Sequence, residues 1–293
     1  MSRFTHGDFS LPELVESRRG ASAAVCIMAG RSARSIVRTL DACERARDAG
    51  LIDDMLVVGK GPSPELEVAA REAGAGFRDE AGLLPDAGPV HGKGDAMWRA
   101  LEVLEHDLIA YCDADLEDFG PHFLGGLLGP LLTDPGVDFV KATYHRPLAV
   151  GGETLAGEGG RVTELLARPL LEAWFPEAAT LRQPLSGEVA ARRDLLTSIP
   201  YATGYAVEAV MLVDVIERAG LDRVAEVDLG TRHNDHQPLE ALGLMAREIL
   251  VGLSTRMEEE PPGVSAMAAE LEALGRVVRE RPAFADVAGL PRT

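Results

Sequence analysis

Aromatic residues are scarce in this chain: Phe, Trp and Tyr make up 5% of 293 residues. Hydrophobic residues still reach 46%, so a full core is within reach, built mostly from Leu, Val, Ala and Ile. Positive charge is also short. The chain has 29 Lys and Arg against 47 Asp and Glu, a formal net charge of −18. That argues against a nucleic-acid partner held through its phosphates. A small anionic substrate remains open, because local basic groups set the field inside a cleft. The 3 cysteines, Cys26, Cys43 and Cys112, are too few and scattered for a disulfide framework or metal-type spacing. They read as reduced thiols of a cytoplasmic protein. There is no apolar run of about 18 residues and no apolar N-terminal stretch with a basic flank. Neither secretion nor a membrane partner is therefore expected.

What is present is an alternation of strand and helix patterns. Ala23–Ala29 reads as a buried strand, and Ser32–Asp48 as a helix with Ile36, Val37, Leu40 and Cys43 on one face. Met55–Val58 is a second strand. Ser63-Pro64-Glu65 opens a helix that ends near Gly74, with a cap, a proline in the first turn and then an acid. Asp95–Glu105 reads as a third helix and Leu108–Cys112 as the next strand. This spacing predicts an α/β fold with a parallel sheet and helices on both faces. Further on come a helix over Phe123–Leu132, an extended run over Val137–Tyr144 and a glycine-rich mobile loop over 149–160. Val162–Trp174 reads as a helix, Glu188–Arg192 as a strand, Val207–Ala219 as a helix and Arg223–Leu229 as a strand. Pro238–Leu253 and Ser265–Arg279 read as terminal helices, separated by Pro261-Pro262-Gly263. Residues 1–20 read as an arm or a first helix packed late. The expected organisation is that arm, a nucleotide-binding half over 21–148, an acceptor half of the same domain over 149–255, and a helical extension over 256–293.

Five segments could carry chemistry. Asp113-Ala114-Asp115 ends the apolar run Leu108–Cys112, and ligands of open α/β sheets bind at the carboxyl ends of strands. Paired carboxylates suit Mg²⁺ or Mn²⁺ shared with substrate phosphates; the same pattern is also a strand end running into a solvated acidic loop. Gly92-Lys93-Gly94 before a helix lets backbone and lysine approach an anion, or is a plain turn, and it lacks the Walker spacing. Gly159-Gly160-Arg161-Val162-Thr163 at a helix start makes a phosphate or carboxylate cradle, or a capped helix with a surface arginine. Glu208, early in an apolar helix, is an acid that the helix N-terminus favours in any case. Arg232-His233-Asn234-Asp235-His236 follows a strand and is either metal-capable or a surface loop.

In order along the chain, these segments join others: Gly92–Arg99, Asp113-Ala114-Asp115, Phe139-Val140-Lys141 with Tyr144–Leu148, Gly159–Leu165 with Ala167–Leu171, Gln183-Pro184-Leu185-Ser186-Gly187-Glu188, and Gly204–Glu208. Together they resemble the glucosyl-3-phosphoglycerate synthases, GT-A glycosyltransferases, over about residues 23–253. The resemblance implies a GT-A fold with a mostly parallel sheet, and a retaining transfer of a hexose from a nucleotide diphosphate to a small acid. It implies catalytic roles for Asp115, Glu208 and Leu185. Donor contacts would come from Ala29, Lys93, Asp113, Tyr205 and Arg232, and acceptor contacts from Gly160, Arg161 and Thr163. The metal ligands would be Asp115 and a histidine, whose place Asn234 takes in ungapped register and His233 takes after a one-residue shift, with His236 two residues on; the cofactor would be Mg²⁺ or Mn²⁺. Family members are often homodimers.

Two departures stand out. The family's acidic Pro-Ala-Leu-Asn-Glu-Glu stretch is here Met28-Ala29-Gly30-Arg31-Ser32-Ala33, and its Asp-Ser-Gly-Ser is Gly59-Lys60-Gly61-Pro62. A rebuilt nucleoside pocket leaves the donor base open. One alternative is therefore a natural-product glycosyltransferase using a GDP-sugar and a small thiol acceptor, as with ergothioneine in lincosamide assembly. Another is a sugar nucleotidyltransferase, on the weaker likeness of Met28–Arg34 to a nucleotidyltransferase glycine loop.

Overall fold

The strand and helix patterns fold into a central sheet with helices packed on both faces. The computed structural model describes residues 1–30, 36–114, 116, 118–146, 148–150, 153–155, 160–232 and 237–287. Among these, eight strands form the main sheet: β1 (Ser2–Thr5), β2 (Ala23–Ala29), β3 (Asp54–Gly59), β4 (Gly76–Asp79), β5 (Leu108–Asp113), β6 (Phe139–His145), β7 (Val189–Arg192) and β8 (Val224–Thr231). Their order is β1-β8-β6-β7-β5-β2-β3-β4. All neighbouring pairs are parallel except those of β7, which runs antiparallel to both β5 and β6. The mostly parallel α/β architecture expected from the sequence is the one observed.

The central strands β2, β3 and β5 are apolar almost throughout because both faces are covered. Alternate residues of β2 divide between two layers. Ala24 and Cys26 join one core; Ala23, Val25, Ile27 and Ala29 join the other. Helices α1 (Leu11–Ser17), α2 (Ile36–Asp48), α3 (Pro64–Glu72), α4 (Lys93–Ala100), α5 (Pro121–Thr133), α6 (Arg168–Trp174), α7 (Val207–Ala219), α8 (Leu239–Ser254) and α9 (Val264–Ala273) complete the main elements. The start of α3 is fixed as its sequence indicates: Ser63 Oγ accepts the Leu66 N–H at 3.4 Å, and Pro64 stands in the first turn.

Several details differ from the sequence reading. Within residues 1–20, Ser2–Thr5 adds an edge strand parallel to β8 that was not expected, with Arg3 paired to Glu226 at 3.1 Å, and the helix α1 follows. The helix expected over 95–105 starts earlier, at Lys93, and ends at Ala100. The last helix stops at Ala273, not Arg279, and Glu280–Arg281 pairs instead with Tyr201–Ala202. Of the glycine-rich loop, Leu148–Val150 and Glu153–Leu155 form a short antiparallel hairpin. The carboxyl ends of β2, β3, β5, β6 and β8 bring Ala29, Gly59, Asp113, His145 and Thr231 to one rim, where an open α/β sheet takes its ligand.

Candidate active site

Asp113 ends β5 in register with Met28 of β2, so its carboxylate leaves the sheet at that rim. Lys93 is the first residue of α4 and reaches the same point. Its Nζ lies 2.5 Å from Asp113 Oδ1 and 2.9 Å from Glu208 Oε1, at the start of α7. Arg232, just past β8, adds a second cation: Nη2 is 3.6 Å from Asp113 Oδ2, and Nη1 donates to Glu188 Oε2 at 2.6 Å and to the Tyr144 hydroxyl at 2.7 Å. The Tyr144 hydroxyl also meets Ser186 Oγ at 2.7 Å and donates to Glu188. Arg146 and Arg232 each place Cζ 5.0 Å from the Tyr144 ring centroid, so the ring carries two guanidinium groups.

The charges depend on one another. Burial works against the Lys93 ammonium, but Asp113 and Glu208 outweigh it and hold the lysine well above its usual pKa. Burial likewise works against the Asp113 carboxylate, yet Lys93 and Arg232 keep it below the usual carboxylate range. Burial pushes the Tyr144 hydroxyl up to about 12, so it stays a donor. Arg232 Nε and Glu188 Oε1 are buried and have no hydrogen-bond partner among the described residues. An unpartnered guanidinium N–H next to Asp113 and Lys93 suits an incoming anionic oxygen.

The remaining predicted residues frame this cluster. Tyr205, 43% exposed, precedes Glu208 by one helical turn, and its N–H donates to Glu248 Oε2 at 2.9 Å. Ala29 is buried at the end of β2, and its carbonyl accepts the exposed Lys60 N–H at 3.2 Å. Leu185 is half-buried between Gln183, whose Nε2 donates to the Tyr144 carbonyl at 2.5 Å, and Ser186. Arg161 Nη2 donates to the Gln237 carbonyl at 3.0 Å, and the Gly160 carbonyl accepts the Glu164 N–H at 3.1 Å. Thr163 is buried where a π-helical stretch, Thr163–Ala167, precedes α6. Pro169 has no N–H to give and crowds the carbonyl one turn back, which accounts for the widened turn. Arg168 then donates to the carbonyls of Leu181 (3.3 Å) and Arg182 (2.7 Å), linking this helix to the turn that carries Leu185. Asp115, His233, Asn234, His236 and Arg31 lie outside the described residues.

Sequence reasoning gave no role to Tyr144, Glu188 or Lys141, although each stands in a segment that carried the resemblance. It also gave none to Glu248, whose buried carboxylate takes the Tyr205 N–H and pairs with Arg276 at 2.5 Å. The signal available was a polar residue inside an otherwise apolar run, at Lys141 and Glu188.

A glucosyl-3-phosphoglycerate synthase from Mycolicibacterium smegmatis is 46% identical over 215 residues, 73% of this chain and 71% of the relative. This chain belongs to the glucosyl-3-phosphoglycerate synthase family. No protein-family model matches the chain. Among solved structures, the family's Mycobacterium tuberculosis enzyme in complex with Mn²⁺, UDP-glucose and phosphoglyceric acid superposes with a TM-score of 0.83 at 33% identity, over 98% of this chain and 99% of that one. The same enzyme is also known with Mg²⁺ and UDP. Mannosyl-3-phosphoglycerate synthase from Rubrobacter xylanophilus gives a TM-score of 0.84 at 35% identity, over 98% and 97% of the two chains. Membership makes the protein a glycosyltransferase of GT-A fold, in which the Lys93–Asp113–Arg232–Glu208 cluster occupies the ligand rim of the sheet.

Proposed function

We propose that the protein moves glucose from UDP-glucose to 3-phosphoglycerate with retention at the anomeric carbon. The observation that carries the reading is the Lys93 ammonium, held between Asp113 and Glu208 with Arg232 beside them at the sheet rim. Two fixed cations suit a diphosphate, and an acid facing them suits sugar hydroxyls. The Mycobacterium tuberculosis relative with UDP-glucose and phosphoglyceric acid supports the choice of substrates.

Cleaving the anomeric C–O bond leaves negative charge on the departing diphosphate. Lys93 and Arg232 stabilise that charge more in the transition state than in the bound donor. Glu208 and Tyr205 orient the hexose. The acceptor hydroxyl attacks from the face the diphosphate leaves, its oxygen bonds to the anomeric carbon, and its proton passes to the departing oxygen. Gly160, Arg161 and Thr163 grip the acceptor phosphate through an N–H, a guanidinium fork and a hydroxyl. Asp113 offers an ionised hard-oxygen ligand of the kind Mg²⁺ and Mn²⁺ take. In this reading Asp115 and His233 would hold the ion, with Asp113 as the neighbouring acid on the donor side. Bound there, a divalent ion adds positive charge against the leaving diphosphate.

The donor half over 21–148 and the acceptor half over 149–255 belong to this proposal, as does a cytoplasmic homodimer. Buried, unpaired Cys26, Cys43 and Cys112 support a reducing setting. No described helix is long and apolar enough to cross a membrane.

The test is direct. Purified protein with UDP-glucose, 3-phosphoglycerate and Mn²⁺ forms glucosyl-3-phosphoglycerate, seen by mass spectrometry, with an α-anomeric proton by NMR. Arg161→Ala raises the acceptor KM about 10-fold or more, the loss of a charge-assisted contact. Consumption of a GDP-sugar or a small thiol in place of these substrates overturns the reading.

A further inference from the structure

Lys141 is a cation in the middle of β6 and is only 1% exposed. A charged group sealed in a core costs several kcal/mol unless its surroundings compensate. Its ammonium donates to two backbone carbonyls, Ser186 at 2.9 Å and Glu208 at a longer 3.4 Å. The two acceptors belong to different pieces of the site. Ser186 lies in the turn between Gln183 and Glu188, flanked by Leu185 and Gly187. Glu208 lies in the first turn of α7 and pairs with Lys93. Neighbouring contacts brace the same turn from its other side, through Gln183 to the Tyr144 carbonyl and Ser186 Oγ to the Tyr144 hydroxyl.

We propose that Lys141 is a positioning residue for the transfer: through the Ser186 and Glu208 carbonyls it sets the turn carrying Leu185 against the helix start carrying Glu208. The proposal rests on the function given above. Sealed in the core, Lys141 acts through these carbonyls. An apolar side chain in its place would remove both bonds and leave the two pieces free to shift relative to each other. A shift of about 1 Å in such a constellation costs on the order of 100-fold in rate.

The groups facing the ammonium come from four places: Glu208 on α7, Lys93 on α4, Glu188 before β7 and Glu226 on β8. Burial, with Lys93 adding to it and the three carboxylates opposing it, lowers the Lys141 pKa to about 8. The ammonium is therefore complete below that pH and is lost above it.

The experiment compares the full-length wild type with Lys141→Met and Lys141→Arg. In Lys141→Met, UDP binding in the presence of Mn²⁺ changes by about 3-fold or less, while kcat falls about 10- to 100-fold. In the wild type, kcat falls as pH rises through about 8. Lys141→Arg keeps its charge at every working pH and loses that basic limb. A wild-type kcat in Lys141→Met overturns the proposal, as does a basic limb that persists unchanged in Lys141→Arg. Amide exchange of the wild type, corrected for intrinsic rates, needs neither variant to fold. Protection over 183–188 and 204–212 drops together above pH 8; unchanged protection in both segments also overturns the proposal. If the wild type transfers no glucose at all, the proposed function fails and the exchange data alone decide the role of Lys141.

Discussion

Glu80 follows β4 directly, close enough to Lys60, just past the end of β3, to feel its charge. Burial raises its carboxyl pKa to about 7, with Lys60 opposing and Asp79 and Asp95 adding to the rise. The folded pKa lies above the unfolded one. Stability from this group is therefore complete below the ordinary carboxyl range and is lost as pH rises through about 7. Glu80→Gln, which stays neutral, should raise Tm by about 1–3 °C at pH 8 and leave it nearly unchanged at pH 5. Thermal unfolding at the two pH values checks this, and an equal shift at both would place the effect elsewhere. At this scale the site was legible where a chemical type stands at an element's end: Lys93, Asp113, Glu208 and Arg232. Tyr144, Glu188 and Lys141 were not. They lie inside or beside β6 and β7, and their partners come from the 183–188 turn, the start of α7 and the residue after β8, which only the folded chain makes neighbours.

Helix α4 shows how one element can serve both stability and chemistry. A Cβ on Gly94 would overlap the Ala202 carbonyl oxygen and come within 2.7 Å of Val207 Cβ. These are fixed atoms, so the helix must move. Gly94→Ala should cost about 3 kcal/mol in urea unfolding. A Cβ on Gly187 would meet Lys93 Nζ at 2.5 Å and Asp113 Oδ2 at 2.7 Å. Those are the tips of the reactive side chains, and Lys93 has a flexible stem. Gly187→Ala should keep Tm within about 2 °C and lose at least about 10-fold in kcat/KM for the donor. If the two variants show the same ratio of stability loss to activity loss, this division of roles is wrong. The bounds of β2 and α7 were readable because one is a short continuous apolar run and the other an unbroken apolar-periodic helix. The antiparallel direction of β7 was not, since a period of two does not say which strand lies alongside. The edge strand β1 was missed for a related reason: its polar, mixed residues gain order only from β8.

Across the whole molecule, an acidic chain keeps two cations, Lys93 and Arg232, at its ligand rim, and its C-terminal segment returns to support the loop that leads to Lys93. Thr203 and Arg279 exchange hydrogen bonds at 2.8 Å each, next to the turn that carries Tyr205. Trp98 Nε1 donates to the Pro282 carbonyl at 2.9 Å, and its ring packs edge-on against Phe284. The strongest tie is electrostatic. Asp95 is fully buried and takes Arg99 Nε at 3.0 Å, the His91 N–H at 2.9 Å, and Arg281 Nε and Nη2 at 2.9 and 2.7 Å. Arg99 and Arg281 also hold carbonyls of the loop leading to Lys93: Leu83, Leu84 and Gly88 for the first, Ala87 and Pro89 for the second. Removing Arg281 leaves Asp95 two of its three partners, so Arg281→Ala should cost about 2 kcal/mol, below the about 3–5 expected when a buried charge loses its only partner. Asp95→Asn alone should cost a similar amount, and the double variant about 1–2 kcal/mol less than the sum. Because the loop ends at His91 and Gly92, UDP binding should weaken in step with Arg281→Ala. Urea midpoints for the four proteins of the cycle, with UDP titrations beside them, measure both effects. Strict additivity, or unaltered UDP affinity, would mean that the C-terminal segment covers the donor half without setting the position of Lys93.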